Sequence, residues 1–147
     1  MPRMHSLMLA VLVLIVGAFA SVPVGNAQSP SQTDVIADVI LKFNQASAEA
    51  TSTRDASPMR PYVTDDFYQE MRFEMQSAWA EGLDSLTLVD IEWGTISVQG
   101  DTATGYTLET WAFQLTDGTA DEFPSQLNLY RLVREGGTWK VMANDHP

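Results

Sequence analysis

Three side chains in this sequence are the candidates for moving a proton: Glu109, Tyr130 and His146. Glu109 lies in an alternating stretch that predicts a β-strand, on the same face of that strand as Trp111 and Phe113. If this face lines a cavity, the carboxyl group lies in apolar surroundings and could act as a proton carrier. A small isomerase- or hydrolase-like enzyme without a cofactor could use such a carboxylate, with Tyr130 and His146 beside it.

Simpler roles for these residues are also open. If its strand face points outward, Glu109 is an ordinary surface acid. In a sheet of this kind, an ion pair with Arg131 on a neighbouring strand is the commoner outcome for a buried polar residue. His146 is the only histidine after the N-terminal leader and follows directly after the last predicted strand. It could fold over the mouth of a cavity as a general base, or it could be frayed.

The composition of the 147-residue chain excludes several classes of site. Because cysteine is absent, the chain has no disulfide, no thiol nucleophile, no thiolate zinc site and no lipid anchor of the bacterial lipoprotein type. The formal net charge of −11 disfavours binding to nucleic acid and to anionic lipid surfaces. Asp65, Asp66 and Glu70 lie close together, but acids at a helix start usually complement the helix dipole. We therefore predict no metal site and no cofactor.

Residues 1–27 have the features of a secretory signal peptide. Arg3 provides a positive start, Leu7–Ala20 is an uncharged apolar run, and small residues precede a cleavage site after Ala27. Cleavage after Ala20 is an alternative, and so is an uncleaved membrane anchor, because the apolar stretch is at the lower limit for spanning a bilayer. Residues 28–32 are a polar linker, and 33–147 form one domain. We predict a secreted or periplasmic protein.

Hydrophobic periodicity predicts three helices before Gly82. Ser31 and the acid three residues after it form a start signal for the first, an amphipathic helix over about residues 34–53. A short helical turn follows and ends at Tyr62. Thr64 then caps the third helix, and Gly82 ends it.

After these helices the pattern changes to the two-residue period of β-strands. Four strands joined by short turns are predicted: Leu86–Val98, Thr102–Leu115, Gln126–Glu135 and Thr138–Asn144. Consecutive strands with such turns pair as an antiparallel meander. The predicted fold class is therefore α+β, with three N-terminal helices packed on a curled four-stranded antiparallel sheet. The first helix is expected to cross the concave face of that sheet.

Short motifs carry a resemblance to a known superfamily: Tyr62–Phe67, Val98–Ala103, Tyr130–Val133 and Gly137–Val141. With the order of the elements, they resemble the nuclear transport factor 2-like superfamily, which also contains ketosteroid isomerase. Within it, the stretch Glu109–Trp111 and the C-terminal tail are similar to the intermembrane-space-type domain of plastid division proteins and their secreted bacterial relatives.

The resemblance implies a cone-shaped domain in which the helices and the curled sheet enclose a cavity. The aromatic side chains that could line it are Tyr68, Trp79, Trp111 and Phe113. The superfamily contains isomerases, dehydratases and hydrolases, and also non-catalytic modules such as the plastid-type domain. We therefore predict a non-enzymatic binding or interaction module whose partner is another protein or a small apolar ligand, with a homodimer as one possibility. A cofactor-free enzyme that uses Glu109 is the alternative.

Overall fold

The computed structural model describes residues 29–147, and the predicted signal peptide lies outside the described residues. Helices come first in this part of the chain, and strands follow them: α1 (Gln32–Thr53), a short 3₁₀ helix (Ser57–Tyr62), α2 (Asp65–Ala80), β1 (Leu83–Gln99), β2 (Thr102–Leu115), β3 (Ala120–Glu135) and β4 (Thr138–Asp145). The predicted α+β class, with three helical segments before four strands, is confirmed. The middle segment is a 3₁₀ helix.

Reciprocal hydrogen bonds set the start of α1. The Ser31 hydroxyl accepts from the backbone N–H of Asp34 at 3.2 Å, and the Asp34 carboxylate accepts from the backbone N–H of Ser31 at 3.1 Å. This capping box satisfies N–H groups that have no partner within the helix. Ile36, Ile40 and Phe43 are buried along one side of α1, so the predicted apolar stripe faces the core.

The start and end of α2 also follow from local chemistry. The Thr64 hydroxyl accepts from the backbone N–H of Phe67 at 3.4 Å, and Asp65 and Asp66 lie in the first turn, where the helix dipole favours acids. Gly82 has φ of 98°, a left-handed conformation that glycine adopts without steric cost. The chain therefore leaves α2 and enters β1 directly.

The four strands form one antiparallel sheet in the order β1–β2–β3–β4. The register shift between Leu88 and Asp90 marks a β-bulge in β1. β3 begins at Ala120, six residues before the predicted start at Gln126. Its first residues are exposed and do not alternate, so their sequence carries no strand signal, but they pair with the end of β2.

A second bulge divides β3. The pairing with β2 shifts beyond Glu109, and one extra residue of β3 is accommodated there. Ser125, within the extra stretch, has φ of 50°. Bulges bend a strand and increase its twist. The sheet therefore curls at this point, beside the residues that form the candidate site.

One face of the sheet, the inner face, is covered by α1, the 3₁₀ helix and α2. Ile40, Met59, Leu132 and Val141 are fully or almost fully buried between these layers. The backbone N–H of Thr64 donates to the carbonyl oxygen of Val141 at 3.0 Å, which ties the start of α2 to β4.

The opposite face, the outer face, is not covered by another element of the described chain. Tyr106, Leu108 and Leu127 are each about 40% exposed there. In residues 29–147 no helix combines the length and the apolar character that crossing a membrane requires.

Candidate functional site

A cavity of about 560 Å³ lies between the C-terminal half of α1, α2 and the inner face of the sheet. This volume is in the range of small-molecule pockets. Most of its lining is apolar, and the larger apolar side chains are Phe43, Phe67, Met71, Met75, Leu83, Leu86, Trp111 and Phe123. The cavity is open on one side and has polar groups at its inner wall.

Glu109 is the centre of a buried hydrogen-bond network at this wall. Its side chain is only 1% exposed. Oε1 accepts from the Asn44 amide at 2.9 Å, the Thr107 hydroxyl at 2.7 Å and the Tyr130 hydroxyl at 2.8 Å. Oε2 accepts from the indole N–H of Trp111 at 2.8 Å. Each oxygen of an ionised carboxylate has about two acceptor sites, so the three donors use the full capacity of Oε1, whereas Oε2 keeps one site.

Tyr130 acts as a donor in this network. It is fully buried, and its hydroxyl also lies 2.9 Å from Asn44 Oδ1. Burial, followed by the negative charge of Glu109, raises the pKa of Tyr130 well above its usual range. The phenol therefore stays protonated at neutral pH and donates to the carboxylate.

The network draws on three elements that are far apart in sequence. Asn44 comes from the buried side of α1, Thr107 and Glu109 from the inner face of β2, and Tyr130 from the inner face of β3. Neither Asn44 nor Thr107 was predicted from the sequence. The available signal was Asn44 itself, a polar residue directly after Phe43 within the apolar stripe of α1. A buried amide requires hydrogen-bond partners, so its position indicates a buried polar network.

Two further amides extend the polar wall of the cavity. The Asn144 amide donates to Asn128 Oδ1 at 3.2 Å, and the Asn128 amide donates to the carbonyl oxygen of Gln126 at 3.0 Å. Asn144 Oδ1 is buried and has no hydrogen-bond partner among the described residues. Because Asn144 is a lining residue, this atom is an unpartnered acceptor close to the cavity. Neither asparagine was a candidate in the sequence analysis.

The open side of the cavity carries acidic groups. Glu70 and Glu74, one turn apart on α2, are exposed and line it, and so does the exposed His146. No lysine or arginine of residues 29–147 is part of the lining. In the same part of the chain, no group of three or more His, Asp or Glu side chains could hold a metal ion.

The structure brings together the three residues with proton chemistry, Glu109, Tyr130 and His146, because all of them line this cavity. None of the hydrogen bonds that Glu109 makes in the described chain involves His146. The ion pair between Glu109 and Arg131 is not formed. That expectation is wrong, because Arg131 is exposed and pairs instead with Asp145 at 2.9 Å.

Of the four aromatic side chains expected in the cavity, Trp111 lines it. Tyr68 is buried elsewhere, with the guanidinium of Arg60 4.2 Å from its ring centroid. The indole N–H of Trp79 donates to the carbonyl oxygen of Thr51 at 3.1 Å and joins the ends of the two α-helices.

Phe113, the fourth expected residue, also lies outside the lining. It stacks on Phe123 at a centroid distance of 4.6 Å, and Phe123 is the ring that reaches the cavity. On α2, the stripe that faces the cavity runs through Phe67, Met71, Met75 and Ala78. Tyr68 and Trp79 lie beside this stripe, a difference that helical periodicity alone does not resolve.

Comparison with solved structures identifies the class of fold. A candidate dehydratase of the nuclear transport factor 2-like family from Streptomyces avermitilis superposes with a TM-score of 0.50 at 16% identity, over 76% of this chain and 93% of that one. The domain has the nuclear transport factor 2-like fold, as the sequence motifs indicated. No family model matches the sequence, and no curated protein does.

Two particular proteins superpose better. The intermembrane space region of the chloroplast protein ARC6 has a TM-score of 0.69 at 12% identity, over 79% of this chain and 96% of that one. The type 2 hexachlorocyclohexane dehydrochlorinase LinA has a TM-score of 0.57 at 11% identity, over 78% and 86%. At such identities the likeness shows the fold alone. Because one of these proteins is an enzyme and the other is a region of a chloroplast protein, function must be argued from the site.

Proposed function

We propose that this domain is a non-enzymatic binding module outside the cytoplasmic membrane, whose cavity receives a small apolar ligand or an apolar segment of a protein partner. One observation carries the proposal: the buried carboxylate of Glu109, in a largely apolar cavity, is held by four neutral donors. Such a network holds the inner wall in one arrangement, and the apolar walls supply shape and contact.

The hydrogen bonds of Glu109 favour this structural role over proton transfer. Oε1 already accepts three hydrogen bonds, whereas a general base needs a free lone pair within reach of the proton it removes. Tyr130 stays protonated, and its hydroxyl proton is directed to the carboxylate. Tyr130 and Glu109 Oε1 are therefore not available as bases, and only Oε2, which accepts from Trp111 alone, keeps a free site.

A cofactor-free isomerase- or hydrolase-like enzyme is the second candidate function. The observation that favours it is that Glu109, Tyr130 and His146 line one cavity. A dehydrochlorinase also has this fold. In such an enzyme the free side of Glu109 Oε2 would accept the proton, and Tyr130 or His146 would assist it.

A paired assay separates the two functions. Binding is measured with N-phenyl-1-naphthylamine, a neutral fluorescent apolar probe, and turnover with activated esters and β,γ-unsaturated ketones. We expect probe binding without turnover above the buffer rate. Glu109→Gln keeps the size of the side chain, so the affinity for this neutral probe should change little. The matched control is Glu92→Gln, which neutralises an exposed acid of β1 outside the cavity lining.

One outcome of this assay would overturn the binding proposal. The wild type would have to show turnover. This turnover would have to fall about 10²–10⁴-fold in Glu109→Gln, which is the usual effect of losing a general acid or base, and persist in Glu92→Gln. That combination would establish the enzyme. Circular dichroism and thermal unfolding of each variant show whether a loss comes from unfolding.

Export is the remaining part of the proposal and rests on the signal-peptide features of residues 1–27. N-terminal sequencing of the exported protein should begin at Gln28, whereas full-length chain in the membrane fraction would indicate an uncleaved anchor. A native mass measurement of the same sample reports the oligomeric state and any retained ligand, so it also tests the possible homodimer.

A further inference from the structure

We infer that the ligand of this cavity is an organic ammonium compound, with a cationic hydrogen-bond donor on an apolar body. The inference rests on the proposed binding function and names the class of ligand. It follows from three properties of the cavity: the sign of its charged groups, the kind of hydrogen-bonding group left free at its wall, and the apolar character of the remaining surface.

The charged groups of the lining are of one sign. Glu109 lies at the inner wall, Glu70 and Glu74 lie on α2 at the open side, and no lysine or arginine of the described chain accompanies them. Glu70 and Glu74 are four residues apart on a helix, a spacing at which like charges repel and cost helix stability. A cation in the cavity would be attracted by all three glutamates, and an anion would be repelled.

Two acceptor atoms of the lining residues retain hydrogen-bonding capacity. Three donors converge on Glu109 Oε1, but Oε2 accepts only from Trp111, so Oε2 retains acceptor capacity. Asn144 Oδ1, an atom of another lining residue, is buried with no donor among the described residues. A buried acceptor without a partner costs free energy. A ligand that brings N–H donors would satisfy both oxygens.

The charge state of the ligand follows from the surroundings of Glu109. A carboxylate that is removed from water is costly unless a counter-charge or sufficient hydrogen bonds compensate it. Neutral groups supply all the hydrogen bonds of Glu109, and no lysine or arginine of the described chain lies in the lining. An ammonium group offers both N–H donors and the missing positive charge. Phe43, Phe67 and Trp111 suit the apolar body of the ligand and can also stabilise a cation.

The test uses three compounds that share one apolar body: 4-phenylbutylamine, 4-phenylbutan-1-ol and 4-phenylbutanoate. Each is titrated into the exported protein at pH 7 by calorimetry. Because hydrogen bonds between charged partners are markedly stronger than neutral ones, we expect the ammonium compound to bind about tenfold or more tightly than the alcohol. The carboxylate should bind most weakly of the three.

A matched pair of double variants shows whether the preference comes from the cavity. Glu70→Gln with Glu74→Gln neutralises the two acids at the open side, on an exposed helix where glutamine is well tolerated. Glu49→Gln with Glu92→Gln removes the same charge from exposed positions outside the lining. The first pair should reduce the preference for the ammonium compound over the alcohol, and the second should preserve it. Unchanged binding of the alcohol shows that the cavity is intact.

Each contrary outcome has a distinct meaning. Equal binding of the amine and the alcohol, or tighter binding of the carboxylate, would overturn the ammonium inference and leave the binding module in place. An equal loss of the preference in both double variants would assign it to the net charge of the protein and also overturn the inference. If none of the three compounds and no neutral probe binds, the proposed binding function fails as well.

Discussion

The inner face of the sheet has two halves that are built differently. In the packed half, the first turns of α1 and strands β3 and β4 meet in a close apolar core that contains Ile36, Ile40, Leu132, Trp139 and Val141. In the cavity half, the later turns of α1 and α2 stand over a polar wall formed by Glu109, Asn128, Tyr130 and Asn144. One helix, α1, contributes to both halves.

The difference suggests how the fold accommodates a cavity. Hydrophobic burial and close packing supply most of the stability of a domain. Because the packed half provides this stability, the cavity half can retain open volume, a buried carboxylate and an unpaired carbonyl oxygen, each of which is unfavourable alone. We therefore expect substitutions in the packed half to affect stability first, and substitutions in the cavity half to affect ligand binding first.

The largest expected effect is that of Trp139→Ala in the packed half. The Trp139 side chain is 7% exposed, and the guanidinium of Arg134 lies 5.3 Å from its ring centroid. Removal of a buried large aromatic side chain costs about 3–5 kcal/mol. The free energy of unfolding, measured in urea, should decrease by that amount. Trp93→Ala is the control, because Trp93 is 41% exposed, and its cost should be about 1 kcal/mol or less. Equal costs at the two positions would contradict the description of the packed half.

Local chemistry in the sequence was sufficient to predict most of the fold. The Ser31 capping box, the Thr64 cap and the helix end at Gly82 depend on residues a few positions apart, and the structure contains all three. The first part of β3 was not predictable in this way. Pro124 and the acidic residues Asp121 and Glu122 interrupt any alternating pattern, and only pairing with β2 makes this segment a strand.

The candidate site was only partly predictable, because it depends on contacts between distant residues. Glu109 was identified from its strand face, but its partner Asn44 is 65 positions away. Both faces of β3 carry apolar side chains, so either could be predicted as the buried face. Leucines such as Leu127 would favour the outer face, which the helices do not cover. The inner face carries Asn128 and Tyr130 instead, because their polar groups find partners beneath the helices. Periodicity separates two faces but does not show which one the helices cover.

A second prediction concerns the pH dependence that Tyr130 adds to the cavity half. Folding raises the pKa of Tyr130, so the folded state favours the protonated phenol. The stabilisation that this pKa difference provides is fully present below the unfolded-state pKa of about 10. It is lost as the pH rises above that value. Tyr130→Phe should cost about 1–3 kcal/mol near neutral pH, since it removes a buried hydrogen bond to a carboxylate.

The difference in unfolding free energy between wild type and Tyr130→Phe should then decrease between about pH 10 and pH 11.5. Tyr106→Phe is the control, because it removes the same hydroxyl group from a side chain that is 41% exposed on the outer face. The difference in unfolding free energy between wild type and Tyr130→Phe could instead stay constant over this pH range. That result would show that burial does not hold the hydroxyl in its protonated form.

The smallest effect on stability is expected for Ala78→Leu, which adds volume inside the cavity. Ala78 is half-buried on α2 and lines the cavity, so a leucine side chain has open space to occupy. Both residues are good helix formers. The free energy of unfolding should therefore change by no more than about 0.5 kcal/mol. The affinity for N-phenyl-1-naphthylamine should fall about tenfold, equivalent to about 1.4 kcal/mol, because the added side chain competes for the same space.

The matched substitution in the packed half is Gly105→Ala. A Cβ atom at position 105 would lie 2.9 Å from Cδ1 of Ile40, which is fully buried, so that side chain must move. Overpacking of this kind costs about 1–3 kcal/mol, although the added volume is smaller than in Ala78→Leu. Gly105→Ala should lower stability and leave the affinity for the probe unchanged. If Ala78→Leu destabilised the domain as much as Gly105→Ala while binding persisted, the space beside Ala78 would not be a ligand cavity, and the contrast between the two halves would be lost.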